Sequence, residues 1–193
     1  MTIYSLTGAR SRKGVHRLVR FFAIAWDIEP DQGYRMVMDG LPGMIMSGDA
    51  FALNSVGMLI TETTITGYRG FDWKKTPEFV RIRRAVQYSA SIDDFYRIMG
   101  EDNNGALANT WLVGDLKTGE IGKLDLGLKH QRLWRTNDGV FTGANYATDE
   151  ALLKDETTFH PADVTTSPAT RRVRWEKKRF KIGGRCPPWD LAL

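Results

Sequence analysis

Between Asn103 and Asn145 the chain alternates apolar runs with turn signals, and that pattern commits the middle of the molecule to antiparallel strands. Leu107–Asp115 and Glu120–Leu126 are joined by Leu116-Lys117-Thr118-Gly119. Gln131–Thr136 and Val140–Asn145 are joined by Asn137-Asp138-Gly139, the strongest short hairpin signal in the chain. Two consecutive β-hairpins carrying asparagines near their strand ends are the expectation for this stretch.

Strand signals recur upstream. Phe21–Glu29 is a β-type run ending in the turn Pro30-Asp31-Gln32-Gly33, and Tyr34–Asp39 answers it. After the loop Gly40-Leu41-Pro42-Gly43, Phe51–Asn54 and Met58–Thr64 form another pair around Ser55-Val56-Gly57, the second strand rich in Ile and Thr. Helical signals interrupt only between these groups. Pro77 suits a helix start, with Val80, Ile82, Ala85, Val86 and Tyr88 as an apolar stripe. Ser91 with Asp94 reads as a capping arrangement for a helix Ile92–Met99, stopped by Gly100. Strand pairs, then helices, then more strands predict an α+β layered domain rather than alternating βαβ units.

The bulk numbers set the class. A chain of 193 residues, 42% hydrophobic and 26% charged, suits one domain spanning 1–193 with a substantial core. No run of ~18 apolar residues offers a membrane span. Phe21–Trp26 is too short for a signal-peptide core, which leaves a cytoplasmic protein as the expectation. Cys186 is the single cysteine, so no internal disulfide or cysteine-based zinc cluster is expected, and His16, His130 and His160 stand far apart, against a metal site. No P-loop, dinucleotide fingerprint or Gly-x-Ser-x-Gly elbow is present, and no cofactor is expected.

The net charge of +4 is concentrated at the ends. Residues 1–26 hold five Arg/Lys and no acid, and 171–185 hold eight against one Glu, while 27–170 have 14 basic and 21 acidic residues. A nucleic-acid binder should carry its charge on a folded face, so no nucleic-acid partner is expected. The ends 1–20 and 177–193 read as atypical basic segments flanking a core of 21–176.

Within that core, Gly57-Met58-Leu59-Ile60-Thr61-Glu62-Thr63-Thr64, Asn103-Asn104-Gly105, Ala108-Asn109-Thr110-Trp111-Leu112-Val113-Gly114-Asp115 and Gly143-Ala144-Asn145-Tyr146 stand in an order and spacing with a counterpart. Together they resemble the acyltransferase and phospholipase B-like branch of the N-terminal-nucleophile hydrolases, a group that includes penicillin acyltransferases and choloylglycine hydrolases. The resemblance implies a four-layer αββα sandwich of antiparallel sheets with helices, here shortened at both ends. It also implies hydrolysis or transfer of an acyl group at an amide or ester of a small-molecule substrate. In such families an N-terminal cysteine is the nucleophile and its own α-amine the base, an amine whose ordinary pKa of about 7.7–8.0 lies near working pH.

Carried over residue by residue, Asn145 corresponds to the asparagine that donates its amide near the oxyanion. Thr63 or Thr64 falls where relatives place another oxyanion-side group. Thr170-Arg171-Arg172-Val173-Arg174 resembles a helix start whose arginine, here Arg171, orients the nucleophile. Asn109, Glu62 and Trp111 belong to the matched strands and are the expected substrate-side residues.

The start departs from the family pattern. Thr7-Gly8 and Arg12-Lys13-Gly14 correspond to a turn that follows the nucleophile, and counting back places that nucleophile at Met1 or Thr2, where no cysteine stands. One reading makes Thr2 the nucleophile once Met1 is removed. Another is a scaffold or binding module that has lost the mechanism. A third is a weak esterase built on Ser47 or Ser55 with a histidine, or a glycosidase using a carboxylate pair such as Glu62 and Asp115. An uncovered sheet edge would favour pairing with another copy of the chain.

Overall fold

The structure is a computed structural model that describes residues 24–40, 44–47 and 51–182. Seven strands form one sheet in simple chain order: β1 (Ile24–Ile28), β2 (Met36–Gly40), β3 (Phe51–Asn54), β4 (Met58–Thr64), β5 (Asn109–Asp115), β6 (Glu120–Leu126) and β7 (Gln131–Thr136). Every neighbouring pair is antiparallel. Short turns join β3 to β4, β5 to β6 and β6 to β7, as antiparallel neighbours allow, while residues 65–108 stand between β4 and β5. Gly57 and Gly119 sit in the turns β3–β4 and β5–β6 at φ of 93° and 72°, a backbone region that L side chains rarely adopt.

Register decides which face each side chain serves. Met58, Ile60, Glu62 and Thr64 of β4 lie opposite Asp115, Val113, Trp111 and Asn109 of β5, and all eight point to one face. Against that face pack two helices, α1 (Glu78–Tyr88) and α2 (Ile92–Gly100), which also pack on each other. The core lies between, with Met36, Met38, Met58 and Ile60 from the sheet meeting Ile82, Val86, Phe95 and Met99 from the helices. Phe95 and Trp111 meet edge to face with ring centroids 5.7 Å apart. Asn54, buried at the end of β3, ties sheet to helix: its Nδ2 donates to Val86 O and Ser89 O at 2.9 Å each, and its Oδ1 accepts from Met58 N at 3.0 Å.

The helix signals at Pro77, Ser91 and Gly100 fall at the observed ends. Ser91 Oγ accepts from Asp94 N at 3.1 Å while Asp94 Oδ2 accepts from Ala90 N at 3.0 Å, a reciprocal cap in which aspartate does the work of the usual glutamate. Tyr88, placed on the apolar stripe by spacing, is instead exposed, and Glu78 and Arg81 are buried in its stead.

The second predicted hairpin does not form. Asn137-Asp138-Gly139 turns the chain, but 140–145 carry no strand. The turn's polar groups are used locally: Asp138 N donates to Thr136 Oγ1, which in turn donates to Asp138 O, and Asn137 Nδ2 reaches Thr118 O. The chain then leaves the β7 edge and crosses the opposite face of the sheet. It continues into α3 (Glu150–Glu156) and α4 (Ser167–Ile182), which turns the basic stretch from Arg171 to Ile182 into a helix. The α+β class with an antiparallel sheet and helices is therefore correct, with one of the expected sheets among the described residues. No helix of the described residues is long and apolar enough to cross a membrane.

Candidate active site

On the face away from α1 and α2, one buried carboxylate fixes the crossing segment. Asp125 of β6 is fully buried and accepts from Thr110 Oγ1 at 2.6 Å, from Asp149 N at 2.8 Å and from Thr148 N. Burial pushes its carboxyl above the ordinary range, against the pull of Lys123 and of these donors. Lys123 Nζ donates to Thr148 Oγ1 at 2.5 Å and lies 5.6 Å from the Trp134 ring centre. Asp149 caps α3 by accepting from Leu152 N at 2.9 Å. Thus 143–149 are pinned to β5 and β6 from beneath.

Asn145 is held in that segment with φ of 61°, a left-handed conformation that asparagine tolerates better than most residues. Its backbone oxygen accepts from Thr66 N at 2.9 Å, and its Nδ2 donates to Thr64 O at 2.8 Å at the last residue of β4. Its Oδ1 accepts from Arg171 Nη1. The amide is therefore oriented from both ends, and one N–H of the Nδ2 group is not used by Thr64 O. A guanidinium on the carbonyl end polarises the amide and strengthens what its N–H groups donate.

Thr63 lies on the same face, opposite Thr110, with its hydroxyl buried and unpartnered among the described residues. A methyl added at Gly143 would stand 2.6 Å from that hydroxyl oxygen, so glycine is what lets the segment close over β4. Thr63, Asn145 and Arg171, drawn from three distant parts of the chain, thus meet on one face.

Glu62, Asn109 and Trp111 point to the other face. They line a cavity of about 190 Å³ between the sheet and α1, together with Met38, Ile60 and Glu78. Burial and the neighbouring Glu78 carboxyl push Glu62 up from 4.5 to about 7, a weak Thr64 hydroxyl contact opposing them. Glu78 is also raised by burial, with Arg81 pulling it back. The Asn109 amide satisfies its surroundings when its nitrogen donates to Ala108 O at 2.8 Å and to Glu62 Oε2 at 3.2 Å. The expected site residues therefore fall into two compartments separated by the sheet.

Thr2, His16 and Cys186 lie outside the described residues. Ser47 is committed elsewhere: its hydroxyl donates to Asp39 Oδ1 and accepts from Phe51 N at 2.9 Å. His130 pairs with Asp155 at 2.9 Å beside β7, at the far end of the strand order from Ser47. Glu62 and Asp115 share a face, but Asp115 lies four positions along β5 from the partner of Glu62, roughly 13 Å at strand rise, too far to flank one glycosidic bond. Glu78, Arg81 and Asp125 were not singled out from sequence. For the first two a signal existed, since 78, 81, 82, 85 and 86 share a helical face.

The sequence matches the family described as Phospholipase B over residues 3–156, a span that includes Thr63 and Asn145 and ends before Arg171. It is 25% identical over 107 residues to a phospholipase B-like 2 protein of Caenorhabditis elegans, across 52% of this chain and 18% of that relative. The chain thus spans less than a fifth of the length of that curated relative. Two solved variants of conjugated bile acid hydrolase from Clostridium perfringens are loosely similar in fold, each with a TM-score of 0.41 and 12% identity, covering 54% of this chain and 36% of theirs. With the family match running through well over half of its length, the chain belongs to the phospholipase B family.

Proposed function

We propose that this chain is a hydrolase of acyl-ester or acyl-amide bonds whose oxyanion side is built around Asn145. The carrying observation is the amide clamped between Thr64 O and Arg171, with an N–H left to donate, on the same face as Thr63. Membership of the phospholipase B family supports the reaction class. In this reading the acyl oxygen, negative in the tetrahedral intermediate, accepts the second N–H of Asn145 Nδ2. A donor preset before the reaction is worth roughly 10²–10³ in rate.

The nucleophile we assign is Thr2, freed by removal of Met1. Its hydroxyl attacks the acyl carbon as its own α-amine takes the proton; the amine then returns that proton to the departing alcohol or amine. Water releases the acyl group by the reverse transfer. Acid quenching of the chain during turnover of a short-chain acyl ester, followed by peptide mass spectrometry, tests this directly. An acyl adduct on a peptide beginning at Thr2, lost in Thr2→Ala, is expected. Retained Met1, or hydrolysis undiminished in Thr2→Ala, would rule the Thr2 mechanism out.

A further inference from the structure

Asn145 holds a left-handed backbone at φ 61°, a conformation that costs a non-glycine residue and persists only where its surroundings keep it there. Thr66 N donates to its carbonyl at 2.9 Å and so fixes the segment beside β4. Three residues on, the chain is gripped again, and there the holders are charged side chains of β6 and β7. Asp125 Oδ2 accepts from Thr148 N and Asp149 N, Lys123 Nζ donates to Thr148 Oγ1, and the Asp149 carboxyl stands 3.7 Å from Arg132 Nη1. Asp125 is fully buried, and Lys123 is 3% exposed.

Buried charges are a costly way to stabilise a fold, because well-packed apolar side chains of like volume often serve at least as well. What a carboxylate does and apolar packing does not is fix direction. Two successive amide N–H groups converging on one oxygen set how the chain around them runs. The sheet register shows what that direction serves. Thr63, Thr110, Asp125 and Arg132 form one row across β4, β5, β6 and β7 on the Asn145 face. Asp125 Oδ1 accepts from Thr110 Oγ1 at 2.6 Å, which leaves Oδ2 for the crossing segment. One carboxylate therefore joins the row that contains Thr63 to the segment that carries Asn145.

We propose that Asp125 is a positioning residue for acyl transfer: through the Thr148 and Asp149 amides it keeps Asn145 in the backbone conformation that aims Nδ2 at the acyl oxygen. The assignment rests on the reading of Asn145 as the oxyanion donor, and Asp125 itself touches no reacting atom. Loss of the grip lets residue 145 relax to an ordinary negative φ, which carries its amide away from Thr64 O.

A double-mutant cycle on kcat for a short-chain acyl ester tests this in the full chain. Asp125→Asn, its fold checked by circular dichroism, keeps the shape and one acceptor oxygen while removing the charge. It should lower kcat about tenfold with KM nearly constant, yet change kcat less than about twofold in the Asn145→Ala background, where no amide is left to misplace. Amide hydrogen exchange gives a readout that needs no activity. Thr66 N–H, whose acceptor is Asn145 O, should exchange at least about tenfold faster in Asp125→Asn, while Met58 N–H, bonded to Asn54 Oδ1, keeps its wild-type rate. If Asp125→Asn does not fold, Thr148→Val removes another part of the same grip, and the same pattern is expected with a kcat loss of about threefold. Equal kcat losses in the two backgrounds, an unchanged kcat beside a lowered one in Asn145→Ala, or unaltered Thr66 exchange would overturn the Asp125 assignment alone. An Asn145→Ala chain as active as wild type would instead contradict the oxyanion reading and overturn the assignment with it.

Discussion

Asn145 and Arg171 form a pair in which one residue presents the donor and the other holds it. Removing the guanidinium leaves the Asn145 carbonyl without its charged partner and lets the amide rotate, while the amide itself remains. Arg171→Ala should therefore lower kcat for acyl-ester hydrolysis by about tenfold with KM little changed, and Arg171→Lys should restore part of the loss. Steady-state kinetics of the two variants check this; a change confined to KM would assign Arg171 to substrate binding instead.

Glu62 makes a different prediction, about stability. The folded chain keeps its proton to about pH 7, whereas the unfolded chain releases it near the ordinary value of 4.5. This group's contribution is thus complete below about pH 4.5 and is lost as pH rises towards 7. Glu62→Gln, which cannot ionise, should gain stability relative to wild type across that window. Allowing for the partial exposure of Glu62, the relative gain is on the order of 1–3 kcal/mol. Urea unfolding at pH 5 and pH 8 measures it, and a difference that does not change with pH would refute the buried-carboxyl explanation.

Among the elements, those with strong local signals were legible and those held by distant partners were not. Met58–Thr64, Glu120–Leu126 and Gln131–Thr136 were read with their observed bounds because alternation and turn residues agree there. Ser91 and Asp94 announced α2 by their cap. Segment 140–145 shows where local reading stops. Its hairpin signal is real, yet the chain is drawn off the β7 edge by Asp125, which supplies acceptors for Thr148 N and Asp149 N. No pattern in 137–145 records that a carboxylate in β6 waits for those amides. Asp125→Ala should consequently cost about 3–5 kcal/mol, since it leaves the buried Thr110 hydroxyl and the Thr148 and Asp149 amides without their acceptor and removes a carboxyl beside Lys123. Asp125→Asn, which still offers one oxygen, should cost less. Denaturant titration distinguishes them; equal stability of Asp125→Ala and wild type would mean that the crossing segment is anchored by something else.

At the scale of the whole molecule, one antiparallel sheet separates two groups of polar side chains. One face presents Asn145, Thr63 and Arg171; the other, beneath α1, encloses Glu62, Glu78 and Trp111. Strand alternation makes such a division unavoidable, because Glu62 and Thr63 are adjacent in β4 and must point apart. That Asn145, Thr63 and Arg171 belong together was legible only through the resemblance, which named them without their geometry. Glu78 and Arg81 escaped because charged residues on a helix are read as its solvent side, although their spacing put them on the buried one. The central claim is that the Asn145 amide carries the developing oxyanion charge. Its most direct test is kcat for a short-chain acyl ester in the full chain and in a folded Asn145→Ala variant. A fall of roughly 10²–10³ with KM nearly constant is predicted. An unchanged kcat, or a wild-type chain that turns over no acyl ester, would contradict it.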